Sequence, residues 1–319
     1  MSPKCSTAAL RFGKSSISSV LIRHGRSASR RRPVAETAAG TLAIIAGGGG
    51  IPALAIEACE EAGRPYFVFA LKGHADHPAV FAAPHEVIRI GAAGRFEKRA
   101  RELGVRDIVM VGRVRRPALR EIRPDAKAAA FLARVAVKSL GDDGLLRAVA
   151  GELERFGFRV VAIQDIVTGL LAPSGNLSRA RPDREAQRDI AHGVGIARSL
   201  GKLDVGQAVV VQQSLVLGVE AIEGTDALLE RCAALKRSGP GGVLVKLRKT
   251  GQDRRIDLPT IGAATVEKAA AAGLRGIAVE AGATLLVNRD AVIASADKAS
   301  LFLVGLDLDG NGTDAGHTV

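Results

Sequence analysis

The densest group of residues able to do chemistry is the run Val219-Glu220-Ala221-Ile222-Glu223-Gly224-Thr225-Asp226. It follows an apolar stretch that reads as a strand, and it opens a helical pattern. Glu220 and Glu223 stand where a strand would normally end on one polar residue. Lys246 and Lys249 close a later strand candidate, followed by Gly251-Gln252-Asp253 and Asp257-Leu258-Pro259-Thr260. Carboxylates and lysines thus gather in loops after strands. The mixture suits metal-assisted phosphoryl hydrolysis, in which carboxylates bind the ion and orient water while lysines neutralise phosphate oxygens. The plainer reading is helix capping by Thr225 and Asp226 together with surface salt bridges. The residues alone leave both open.

A second candidate lies near the start of the ordered sequence. Gly47-Gly48-Gly49-Gly50 follows the apolar run 41–46, and Ile51-Pro52 then opens a helical pattern. A helix N-terminus preceded by glycines attracts phosphate, because bare N–H groups point outward and no Cβ blocks close approach. The same glycines also serve a purely structural tight turn. A dinucleotide fingerprint does not fit. G-x-G-x-x-G from Gly47 needs glycine at Pro52, and from Gly48 it needs glycine at Ala53. Leu71-Lys72-Gly73-His74, after the second strand candidate, offers no acidic residue for an adenosine ribose.

Arg113, Arg115 and Arg116 follow another strand candidate, where bidentate arginines can meet phosphate or form a solvated basic loop. Gly141-Asp142-Asp143-Gly144 reads as a helix start, since Asp favours N-caps and first turns. Its paired carboxylates also suit magnesium. His74, His77, His85 and His192 show no metal-ligand spacing, and surface or structural roles are expected.

Strand candidates at 41–46, 66–71, 86–90, 107–111 and 159–163 alternate with helical patterns at 95–103, 126–139 and 145–156. Such alternation predicts a mainly parallel sheet covered on both faces. The loop Ala172-Pro173-Ser174-Gly175-Asn176 breaks the pattern and marks a domain boundary. A second α/β unit follows. Its expected helices are 183–200, 225–236 and 261–272, and its expected strands are 207–212, 216–222, 242–247, 276–280 and 284–287. The expected organisation is a disordered basic leader at 1–38, a Rossmann-like nucleotide-binding domain at 39–172, a catalytic and lipid-binding α/β domain at 173–310, and a disordered tail at 311–319.

Bulk properties narrow the classes. Hydrophobic residues make up 47% of the 319 and charged residues 24%, an ordinary globular balance. Aromatic residues are only 3%, too few for the stacking platforms that bind single-stranded nucleic acid. The net charge of +12 looks like a nucleic-acid signal, yet eight of those charges fall within residues 1–35, which carry no acid. The remainder is mildly basic, which suits a phosphate-bearing ligand or an anionic membrane surface. Segment 1–38 is Ser/Arg-rich and similar in composition to a transit peptide; a basic tail or a leader upstream of the true start is the preferred reading. Cys5, Cys59 and Cys232 form no disulfide or zinc pattern, so a reducing cytoplasm is expected, with Cys59 and Cys232 as buried thiols. No run of about 18 apolar residues is long enough to span a bilayer.

Taken together, the motifs resemble the LpxI-type UDP-2,3-diacylglucosamine pyrophosphatases of lipid A biosynthesis. The likeness extends from about Leu42 to Val304. It rests on Ile45-Ala46-Gly47-Gly48-Gly49, Gly112-Arg113-Val114-Arg115-Arg116-Pro117, Arg123-Pro124-Asp125, Gly141-Asp142-Asp143 with Leu145-Leu146, and Asp204-Val205-Gly206-Gln207. Its most specific part is 219–226, followed by Leu244-Val245-Lys246, Gly251-Gln252-Asp253 and Asp257-Leu258-Pro259-Thr260. The sequence departs from the family pattern at Thr250, where proline is usual, at Ile256 (an aromatic), at Ala263 (proline) and at Asn288 (aspartate).

The resemblance implies two domains with ligand between them, and hydrolysis of UDP-2,3-diacylglucosamine to UMP and lipid X with Mg2+. It implies that Asp226 is the catalytic aspartate, and Asp226 is expected to bind the ion or position water; Glu223 and Lys246 are expected to act beside it on the residues' own chemistry. Gly47, Gly48, Gly49 and Arg116 are then expected to hold part of the UDP moiety. Asp253, Asp257, Lys249 and Thr225 become phosphate or metal candidates. A cytoplasmic enzyme meeting an amphiphilic substrate at the inner-membrane surface follows, with an apolar cleft between the domains and no nucleic-acid partner; a homodimer is compatible. The alternatives are a nucleotide-dependent dehydrogenase or nucleotide-sugar transferase using the glycine loop, and a nucleic-acid-binding protein.

Overall fold

Thr41–Ala46 contains no polar residue after its first, so as a strand it must be covered on both faces. It forms β1, with Leu42, Ala43, Ile44 and Ala46 all buried. The structure, a computed structural model, describes residues 40–115, 122–135 and 142–308. The expected leader at 1–38 and tail at 311–319, together with Arg116 and Gly141, lie outside the described residues.

After β1 come α1 (Ile51–Glu61), β2 (Tyr66–Leu71), α2 (Pro78–Ala82), β3 (His85–Ile88), α3 (Ala93–Glu102), β4 (Val105–Val111), α4 (Ala126–Val135), α5 (Asp142–Arg155) and β5 (Arg159–Val160). The five strands form one sheet in the order β3-β2-β1-β4-β5, and every pairing is parallel. The strands stay parallel, but the chain builds outward from β1 in one direction to β3 and in the other from β4 to β5, which makes the β1–β4 junction the switch point of the sheet. Side chains alternate across it. Leu42, Ile44 and Ala46 pack with Ala55, Ile56 and Cys59 of α1 on one face. Ala43, Phe69 and Ile108 pack with Phe96 of α3 and Leu153 of α5 on the other. Each fully buried Leu, Ile or Phe here stabilises the fold by roughly 1.5–3 kcal/mol relative to exposure.

Two expectations need correction in this half. The strand expected at 159–163 stops after Val160, because only Asp107 and Ile108 of β4 pair with it, and a 3-10 turn at Ile163–Asp165 follows. The short α2 was not expected; Pro78 opens it and the His77 ring accepts a hydrogen bond from the Ala79 N–H.

The second half contains β6 (Gly175–Asn176), α6 (Arg184–Lys202), β7 (Ala208–Gln212), β8 (Leu215–Val219), α7 (Gly224–Ala233), β9 (Val243–Lys246), β10 (Thr260–Ile261), α8 (Ala263–Ala271), β11 (Gly276–Glu280), β12 (Leu285–Leu286), α9 (Arg289–Lys298) and β13 (Phe302–Leu306). Its six-stranded sheet runs β6-β13-β11-β9-β7-β8. β9, β11 and β13 are parallel, whereas β6 and the β7–β8 hairpin bring antiparallel pairs. α6 covers one face through Ala186, Ile190 and Ala197. Leu228, Val266 and Val292, from α7, α8 and α9, cover the other. α9 and β13 were missed from the sequence. Asn288 caps α9 by accepting from the Ala291 N–H, so it replaces the family's aspartate without loss of the cap.

The two halves share core and backbone. Leu258 and Leu285 pack into the cluster around α1, Leu171 bridges to Leu285, and the Gln164 amide donates to the Arg254 carbonyl. Ile256 packs against the α3/α5 face of the first sheet.

Candidate active site

β7 runs against β9, and β8 runs against β7, so β8 and β9 point the same way. Ala208 pairs with Lys246, Val209 with Val219, and Val279 with Lys246. The chain therefore leaves β8, β9 and β11 at one edge of the sheet, where open α/β sheets present their ligand sites. Glu220, Lys246 and Glu280 stand on that edge.

Lys246 is buried, with 6% of its surface exposed. Its Nζ donates to the Thr225 hydroxyl at 2.9 Å and to the Thr260 carbonyl at 3.1 Å. The Thr225 hydroxyl in turn donates a hydrogen bond to the Glu220 carboxylate at 2.5 Å. The other Glu220 oxygen accepts from the Gln207 N–H at 3.1 Å. Thr225 is thus a link between two charged groups rather than a helix cap. The N-cap of α7 is Glu223, whose carboxylate accepts from the Ala221 N–H and from Arg231.

Burial is the largest influence on the Lys246 ammonium and holds it below the ordinary lysine range; the charges of Glu220, Asp226 and Asp257, in that order, oppose the shift. An isolated ammonium would cost several kcal/mol to bury, and these carboxylates offset part of that cost. Asp226 sits in the first turn of α7, where the helix dipole favours a carboxylate. Its side chain is half-exposed and paired with Lys268 of α8 at 3.0 Å. Asp257 accepts from the buried Gln252 amide at 2.5 Å, and Gln252 in turn accepts from the Lys249 N–H.

The other expected residues are drawn elsewhere. Lys249 pairs with Asp204 at 2.8 Å. Asp253 is held below the ordinary carboxylate range by its hydrogen bonds with Arg255, and Arg255 reaches Glu154 of α5. Glu223 is held low by its own backbone N–H and by Arg231. The structure therefore brings together Lys246, Thr225, Asp226 and Asp257 from the expected set, and adds Glu220, Gln252 and Lys268. Glu220 was conspicuous in sequence and Gln252 lay within the Gly251-Gln252-Asp253 motif without a role assigned to it; Lys268 carried no signal beyond its charge. Among the described residues no three His, Cys, Asp or Glu side chains are grouped to hold a metal ion.

In the first sheet, Gly47–Gly49 lie at the β1–β4 switch point. The Gly47 N–H donates to the Val111 carbonyl and Gly48 exchanges hydrogen bonds with Arg113. A Cβ on Gly47 would stand 2.5 Å from the Arg113 carbonyl oxygen, and one on Gly112 (φ +93°) 2.8 Å from the Gly47 carbonyl carbon. These glycines exist because two backbones touch. The Gly49 N–H donates to the Asp76 carboxylate at 2.7 Å. What the loop offers an anion is thus the first turn of α1, where Ile51 and Ala53 have no helical partner for their N–H groups. Asp76 is an acidic residue beyond β2 that the sequence reading missed. His74 is structural, accepting from the Arg115 N–H.

A short sheet links these regions. Thr260, whose carbonyl accepts from Lys246, begins β10; β10 pairs with β12, and Val287 after β12 lies beside Gly50.

Such features define a two-domain α/β protein that carries a glycine-rich loop in its N-terminal half and a buried lysine influenced by carboxylates in its C-terminal half. Residues 41–170 match the LpxI N-terminal domain and residues 173–304 the LpxI C-terminal domain. The chain is similar to the UDP-2,3-diacylglucosamine pyrophosphatase LpxI of Caulobacter vibrioides, with 42% identity over 273 residues, 83% of this chain and 97% of that protein. It belongs to the LpxI family.

Proposed function

We propose that this chain hydrolyses UDP-2,3-diacylglucosamine to UMP and 2,3-diacylglucosamine 1-phosphate in lipid A biosynthesis, the activity named for its Caulobacter relative. The observation that carries the site is the buried Lys246, hydrogen-bonded to Thr225 and within electrostatic reach of Glu220, Asp226 and Asp257. In hydrolysis a water oxygen joins one phosphorus while that phosphorus loses its bond to the bridging oxygen, and the water's protons are shared between solvent and products. Lys246 neutralises charge on the diphosphate as the bond breaks. Asp226, exposed enough to meet solvent, orients the attacking water.

Magnesium fits this donor set in one way. Mg2+ commonly takes one or two carboxylates and completes its shell with phosphate oxygens and water. Asp226 would hold the ion together with the substrate, which makes a preformed three-carboxylate cage unnecessary. When bound, the ion would supply further charge neutralisation on the diphosphate.

A Rossmann-like first domain that receives the uridine side of the substrate is consistent with the 3-2-1-4-5 strand order and the loop at its switch point. Among the described residues no helix is long and apolar enough to cross a membrane. A cytoplasmic enzyme that meets its diacylated substrate at the membrane surface, as a monomer or homodimer, belongs to the same reading.

The test is direct. Purified protein with UDP-2,3-diacylglucosamine and Mg2+ should yield UMP and the lipid 1-phosphate in equal amounts, followed by 31P NMR. Release of UDP, or no turnover, would overturn the proposal. Titration with NAD should give no binding; saturable binding would favour the dehydrogenase alternative.

A further inference from the structure

We propose that Glu220 is a positioning residue for this reaction, acting through the Thr225 hydroxyl to fix the Lys246 ammonium that meets the diphosphate. The inference rests on the function proposed above and adds a residue to it.

Hydrogen-bond capacity fixes the direction of each contact in this chain. A threonine hydroxyl has one proton and two lone pairs, and a lysine ammonium only donates. Lys246 donates to Thr225, so the Thr225 proton must point elsewhere, and Glu220 takes it at 2.5 Å. Without that acceptor the hydroxyl is free to rotate, and its proton can turn toward the ammonium and break the contact. Glu220 is itself fixed. It is 5% exposed, its second oxygen accepts from Gln207, and its N–H donates to the Ala208 carbonyl. Gly206 lies so close that a Cβ there would sit 2.0 Å from the Glu220 carbonyl oxygen, which leaves the segment no room to shift.

Two of the three Lys246 N–H groups are therefore assigned, to Thr225 and to Thr260. The third has no partner among the described residues. A buried ammonium held by two fixed acceptors has a defined direction for its remaining donor, which is the geometry needed to stabilise charge that develops in a transition state. Glu220 is buried and touches no substrate in this scheme; its effect on turnover travels through Thr225.

The test compares Glu220→Gln, Thr225→Val, Thr225→Ser, the Glu220→Gln/Thr225→Val double variant and Lys246→Met, each checked for fold by thermal unfolding. Glu220→Gln and Thr225→Val should each lower kcat by about ten- to a hundredfold with KM within about twofold, since an interaction made mainly in the transition state is lost. The double variant should be no worse than the more impaired single one, because both changes break one chain of contacts. Thr225→Ser should recover most of the activity. If Glu220→Gln fails to fold, the contrast between Thr225→Val and Thr225→Ser carries the test, and equal kcat in those two overturns the inference. Additive losses in the double variant also overturn it. An inactive Lys246→Met beside a fully active Glu220→Gln removes this inference alone; a fully active Lys246→Met removes the site reading as well.

Discussion

The Asp226 carboxylate meets the Lys268 ammonium at 3.0 Å, joining the first turn of α7 to α8 on a half-exposed surface. An ion pair so open to solvent adds little to stability, and Asp226 serves no cap, since Glu223 occupies the N-cap. In the proposed reaction its charge, which acts on the buried Lys246, is what matters. Asp226→Ala should unfold at nearly the wild-type temperature and still bind substrate. Its kcat should fall at least about a hundredfold, the scale for losing a positioned catalytic group. Wild-type turnover in that variant would remove Asp226 from the mechanism.

The contact between Gly47 and Gly112 gives a prediction of the opposite kind. A methyl group at Gly47 would press into the Arg113 backbone at 2.5 Å, where no side chain can move aside. Gly47→Ala should destabilise the protein by about 1–3 kcal/mol, as expected for overpacking. It should also raise KM for the UDP-linked substrate, because the start of α1 moves with the loop. A variant with unchanged melting temperature and unchanged KM would show that the two backbones separate at no cost.

How far the sequence was legible follows from these same residues. The first sheet could be read because its strands are continuous apolar runs separated by helical periods. The β7–β8 hairpin was blurred because its turn, Gln213-Ser214, lacks the Asn-Gly signature. Both residues adopt positive φ, 53° and 60°, and their N–H groups are held by the fully buried Asp189 of α6. A turn fixed by a carboxylate some 25 residues away leaves no local mark. α9 was missed for a related reason: Arg289–Lys298 carries few large apolar residues and buries only Val292 and Ala296.

The site was legible in its residue types and not in its partners. Lys246 and Lys249 look equivalent in sequence, yet one is buried against Thr225 while the other pairs with Asp204. Asp253 and Asp257 look equivalent too, and Arg255 claims the first. Side-chain pairing across loops decides these assignments, and spacing does not encode it.

The basic N-terminal segment supplies a separate test. Residues 1–35 carry eight cations and no acid. Deleting them should sharply reduce retention on a phosphate-bearing or heparin column, because sequence-independent binding to polyanions follows the number of cations. Hydrolysis should be unchanged, since the family match begins at residue 41. A truncated protein that keeps its salt-sensitive polyanion binding would place that binding in the folded body and revive the nucleic-acid alternative.

Asp107 offers a pH test at the other end of the first sheet. It lies near the amino end of β4, 2% exposed, with Arg159 donating twice at 2.7 and 2.9 Å and Arg64 once at 2.5 Å. Burial is the largest single influence and pushes its pKa up, but Arg159 and Arg64 together outweigh it and hold the carboxyl below its ordinary value of 3.8. A folded-state pKa below the unfolded one means that the unfolded chain binds the proton more readily. The stabilisation is therefore complete above the ordinary aspartate range and is lost as pH falls through the lower folded value. Asp107→Asn should cost about 2–3 kcal/mol at pH 7, the low end for a buried pair because Arg159 is largely exposed. Urea unfolding should show the gap between wild type and variant narrowing steadily below pH 3.8 while activity at pH 7 stays intact. A gap that stays constant across that range would mean that Asp107 contributes through shape and not through charge.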